Sequence, residues 1–147
     1  MSTHNRFIAC FPSFYLGEAA LLLSVDNEAI EWLMSCFGQL SAAPLGTSRP
    51  RFLIGDGNPV ESDGRCLLVV QPDNQEGATR LFRTAPNEFR WSVSQRSAHH
   101  FQALLGGLLK SETPGHQYLD SDDPLSPVVI VSRDEYGIDK IRSWLQL

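Results

Sequence analysis

The chain has 147 residues, enough for one domain whose core needs no disulfide or metal staples. It is 42% hydrophobic and 20% charged, with no low-complexity tract, as expected of an ordinary globular protein. A net charge of −5 argues against general affinity for nucleic acid or for an anionic membrane, because both need clustered Lys and Arg.

Residues 7–11 predict a short strand, ended by Pro12 and Ser13. Residues 19–25 form a continuous apolar run and predict a strand buried on both faces. The stretch from Phe7 onward resembles a signal peptide in its apolar content. Pro12, Ser13, Gly17 and Glu18 interrupt it, however, and no cleavage site follows, so no removable signal is expected. No run approaches the roughly 18 apolar residues of a membrane span. Asp26 is placed to cap a helix that reaches about Leu40. Ile30, Leu33, Phe37 and Leu40 make its core stripe, extended by Trp32 and Cys36.

A loop of small residues, 41–50, leads to a short strand at 51–54 and a turn at Gly55-Asp56-Gly57. That turn lacks the third glycine of a dinucleotide fingerprint and the Lys-Ser/Thr pair of a phosphate loop. A further loop at 61–64 precedes a buried strand at 66–71. Residues 78–83 and 88–93 predict a hairpin, the second strand alternating Phe89, Trp91 and Val93 on one face.

Ser94 is placed to cap a second helix carrying Ala98, Phe101, Leu104, Leu105 and Leu108 at helical spacing. Gly106 and Gly107 each cost that helix roughly 1 kcal/mol against alanine. Early termination or close internal packing is the expected reason for them, rather than a dimer seam. Pro114-Gly115 stops the helix, residues 116–120 resume as a strand, and residues 128–131 make the last one. Ser132 and Glu135 have capping-box spacing before a short C-terminal helix on Ile138, Ile141 and Leu145.

Strands joined by short turns outnumber crossovers. The expected fold is therefore α+β: a single domain over residues 1–147, with a mainly antiparallel sheet, two main helices and a short C-terminal helix. The order contains two ββα arrangements, but no residue-level similarity between them is evident by eye.

Cys10, Cys36 and Cys66 are odd in number and widely spaced, with no CxxC. A reducing, cytoplasmic compartment is expected, with no cofactor, no metal and no disulfide framework. No serine lies in GxSxG or SxxK, and no catalytic residue is assigned. Charge, however, is segregated. Arg80, Arg83, Arg90 and Arg96 against Glu88 leave a surplus of three positive charges on the hairpin side. Seven acids against Arg133 leave a surplus of six negative charges over residues 112–139.

Two outcomes are open: the clusters neutralise each other, or the field steers a charged partner. The second leads to a non-enzymatic binding protein of inhibitor or immunity type that engages a basic protein partner. Its expected contact residues are Tyr118, Asp120, Asp122, Asp123, Asp134, Glu135 and Tyr136, since tyrosines beside solvated acids suit interface anchors. The alternative is a metal-binding protein or hydrolase-like enzyme using His116, Asp120 and His99 or His100. A subunit or scaffold with no ligand of its own is a third reading.

Overall fold

The computed structural model describes residues 8–12, 20–42, 51–54, 60–62, 67–73, 79–85, 88–122 and 128–133. Their strands are β1 (Ile8–Pro12), β2 (Ala20–Val25), β3 (Phe52–Ile54), β4 (Val60–Ser62), β5 (Leu67–Pro72), β6 (Arg80–Ala85), β7 (Glu88–Val93), β8 (Gly115–Leu119) and β9 (Val128–Arg133). The helices are α1 (Asn27–Ala42) and α2 (Gln95–Lys110). The α+β class is as expected, but the strands form two mixed sheets. One is five-stranded, in the order β4-β1-β2-β9-β8, and the other four-stranded, in the order β3-β5-β7-β6. The hairpin neighbours are antiparallel, whereas β1/β4, β2/β9 and β5/β7 are parallel.

Both helices start where a side chain can satisfy their free amides. Asp26 Oδ1 accepts from the N–H of Ala29 at 2.8 Å, and Ser94 Oγ accepts from the N–H of Ser97 at 3.1 Å. Beyond the caps, apolar residues at three- and four-residue spacing face one core. That core takes alternate residues from both sheets: Leu21, Leu23, Val129 and Val131 from the first, Leu68, Val70, Trp91 and Val93 from the second. At its centre Phe37 meets Trp91 and Phe101 edge-on, each with ring centroids 5.5 Å apart. Leu105 is fully buried in this cluster, whereas Leu104 packs against its margin half-buried. No helix among the described residues is long and apolar enough to cross a membrane.

The two ββα arrangements are a structural repeat. Ala20 and Glu88, Val25 and Val93, Asn27 and Gln95, and Ala42 and Lys110 are each 68 residues apart, so strand and helix match in length end to end. At that offset Ser24 matches Ser92, Val25 matches Val93, Gly38 matches Gly106 and Leu40 matches Leu108. These few identities are the residue-level echo that reading the chain by eye misses. The antiparallel strand pair that follows each helix joins the other unit's sheet: β5, with β3 outside it, lies beside β7, and β9, with β8 outside it, lies beside β2. The parallel pairs β5/β7 and β2/β9 are the product of this exchange, and this is why a local reading leans antiparallel.

The glycines mark the pseudo-twofold. A Cβ on Gly38 of α1 would come within 2.9 Å of the Gln102 amide on α2, and one on Gly106 would lie 3.4 Å from Met34 Cε. Met34 and Gln102 are themselves counterparts, so the two helices approach through the same pair of positions used twice. Gly106 therefore serves internal packing. Gly107 does not: no atom lies within 4 Å of its added Cβ, and α2 continues to Lys110 instead of ending early. Gly107→Ala is expected to stabilise the protein by about 0.5–1 kcal/mol, read as a raised urea midpoint at unchanged m-value.

Several expectations shift. A short strand, β4, stands where a loop is expected and pairs parallel with β1. The strand β9 runs on through Ser132 and Arg133, so Ser132 is a buried strand residue opposite Ser24 and His116, not a helix cap. The expected C-terminal helix lies outside the described residues.

Candidate functional site

The strand β8 is one of the two edge strands of the five-stranded sheet. Its alternation places Gln117 and Leu119 toward the core side and His116 and Tyr118 on the opposite face. Tyr118 is 44% exposed, and its ring meets His116 in a T-shaped contact at 5.1 Å. Asp120 follows directly at the strand end and is exposed, as is Glu112 at the other end of the connection from α2. Three of the expected contact residues, Tyr118, Asp120 and Asp122, thus fall within one short segment at one end of the sheet. Asp123, Asp134, Glu135 and Tyr136 lie outside the described residues.

Asp122 does more than face solvent. Its Oδ2 accepts from the N–H of Thr79 at 2.8 Å, and its own N–H donates to the Thr79 carbonyl at 2.9 Å. Thr79 is fully buried. Its hydroxyl accepts from the N–H of Ser94 at 3.0 Å and lies 3.2 Å from Ser94 Oγ. Because Ser94 caps α2, Asp122 joins a chain of hydrogen bonds that ties the end of β8 to the start of β6 and to the helix N-terminus. The signal in the sequence, a polar turn of Ser121-Asp122-Asp123-Pro124, gives no hint of this partner 43 positions away.

Arg133 also differs from its role in the charge tally. It is buried, and its guanidinium donates to Asn27 Oδ1 at 3.1 Å and to the carbonyls of Leu109 at 3.3 Å, Ser111, and Thr113 at 2.9 Å. A cation at the last turn of α2 suits the negative end of the helix dipole. This charge therefore serves the interior as well as the charge balance.

The acidic and basic clusters do not neutralise each other among the described residues. The one ion pair there lies within the basic cluster, Arg90 with Glu88 at 3.6 Å. Arg80 and Arg83 lie over the rings of Phe82 and Phe89, at 5.8 and 4.9 Å from the centroids. Arg51 and Arg96 are exposed. Charge segregation thus survives folding among the described residues.

His99 and His100 are exposed neighbours on α2, and His116 is exposed on β8. Among the described residues no group of three or more His, Cys, Asp or Glu side chains is placed to hold a metal ion. Cys36 is buried in α1. No family model, curated protein or solved structure matches the chain.

Proposed function

We propose that this chain is a non-enzymatic binding protein, of inhibitor or immunity type, that engages a basic protein partner through the acidic end of the five-stranded sheet. The observation that carries the reading is the exposed Tyr118 beside the exposed Asp120 at one end of β8, where Asp120 forms no ion pair with an arginine among the described residues. A half-exposed tyrosine supplies contact area at low entropy cost, and unneutralised carboxylates around it accelerate encounter with an opposite charge. Asp123, Asp134, Glu135 and Tyr136 belong to the same proposal on sequence grounds. Widely spaced cysteines without CxxC fit a reducing, cytoplasmic setting.

Retention of proteins from the native lysate on the immobilised chain tests this directly. A basic protein held by the wild type should be lost with Tyr118→Ser and with Asp120→Lys. With the purified partner, Asp120→Lys should slow association by about tenfold and flatten its salt dependence without moving the melting temperature. Asp122→Ala should behave differently and lose about 1–2 kcal/mol of stability, because a buried N–H is left without its acceptor. Identical retention by wild type, Tyr118→Ser and Asp120→Lys would remove this surface from consideration.

A further inference from the structure

The pseudo-twofold makes the outer faces of the two sheets directly comparable. In the five-stranded sheet, register places Phe11, Leu22, Ile130 and Tyr118 in one row across β1, β2, β9 and β8. The matching row of the four-stranded sheet is Phe82, Arg90, Val69 and Leu53 across β6, β7, β5 and β3. Leu22 and Ile130 are buried on their outer face, together with Ser24 and Ser132 in the next row. The chain thus covers the middle of that sheet from both sides.

The other outer face is likewise buried at its middle, at Val69 and Ser92, but it is open at its margins. Phe82 is 37% and Leu53 43% exposed, at the two ends of their row. Arg90 stands where Leu22 stands in the first sheet, with a third of its side chain exposed. The adjacent row is Arg80, Ser92 and Gln71, continued by Arg51 one residue before β3 on the same side of its alternation. Arg90 is held by Glu88 at 3.6 Å and by the Gln71 side-chain carbonyl at 3.4 Å, and Arg80 lies over the Phe82 ring. The face therefore carries two apolar ends with three arginines between and beside them, of which Arg51 and Arg80 have no carboxylate partner among the described residues.

We propose that this face is a second docking surface, and that its occupant is an acidic segment of a partner protein carrying apolar side chains between its carboxylates. Charge complementarity chooses the occupant. Guanidiniums offer paired N–H donors to carboxylates, and those already lying on a ring or held by neighbours lose little entropy on binding. Single-stranded nucleic acid fits less well. It needs a stacking platform of several open aromatic rings, whereas among the described residues Phe82 is the one exposed ring on the face and Arg80 lies over it. A second copy fits less well too, because joining the acidic end of one chain to the basic face of another gives a head-to-tail contact, which leads to a ring or an open filament and not to a closed twofold dimer.

The probe is a fluorescein-labelled peptide of alternating glutamate and leucine, followed by anisotropy at low and high salt. Saturable, salt-sensitive binding is expected, weakened at least about tenfold by Arg51→Glu with Arg80→Glu and also by Phe82→Ser. Arg96→Glu, on α2 and away from the face, should leave binding unchanged, with all variants melting like the wild type. The proposal is overturned by absence of saturable binding, or by an equal loss with Arg96→Glu. Tighter binding of labelled oligothymidylate would overturn it in favour of nucleic acid. A wild-type oligomer in sedimentation that Arg80→Glu dissolves would overturn it in favour of a second copy.

Discussion

Phe37→Ala is expected to cost about 3–5 kcal/mol of stability, the range for removing a fully buried aromatic ring. The ring lies on α1 yet makes its contacts outside that helix, edge-on to Trp91 of β7 and to Phe101 of α2. Its loss opens a cavity between α1 of the first repeat unit and β7 and α2 of the second, so no single element can relax to fill it. Urea unfolding should show the midpoint falling at an unchanged m-value. A loss below about 1 kcal/mol would mean that the helices do not meet the second sheet as described. The same measurement should rank Leu105→Ala well above Leu104→Ala, since Leu105 is fully buried and Leu104 is half-buried at the margin.

Arg133→Met should be nearly as severe, with a loss on the order of 3 kcal/mol, although it swaps a charged side chain for an apolar one of similar length. The guanidinium joins the first residue of α1 to the carbonyls that close α2, and Leu109, Ser111 and Thr113 would each lose a donor in a part-buried setting. Lysine should recover little, because one ammonium cannot reach carbonyls spread across the planar fork of a guanidinium. Thermal melts of the Met and Lys variants beside the wild type check both statements. A Lys variant that melts like the wild type would show that charge alone, and not the geometry of the fork, stabilises the end of α2.

Much of the local structure was legible in the chain. The caps at Asp26 and Ser94, the stripe from Ile30 to Leu40, and the alternation of Phe89, Trp91 and Val93 depend on residues a few positions apart, and each was realised where local chemistry placed it. The exchange of strand pairs was not legible. The pairing of β2 with β9 and of β5 with β7 is decided by which apolar faces meet after the helices have packed, and a buried run such as Ala20–Val25 suits any partner of like burial.

The surface divides in the same way. The sequence alone determined that acids and arginines are segregated, because that is a matter of composition along the chain. Only the tertiary structure decided which charges remain outside. It turned Arg133 inward to α2, spent one oxygen of Asp122 on Thr79, and left Arg51 and Arg80 beside Leu53 and Phe82 on an outer sheet face. The physical reason is that burial and hydrogen bonding depend on distance in space. Arg133 and Asn27, which share one of these bonds, are 106 positions apart in the chain.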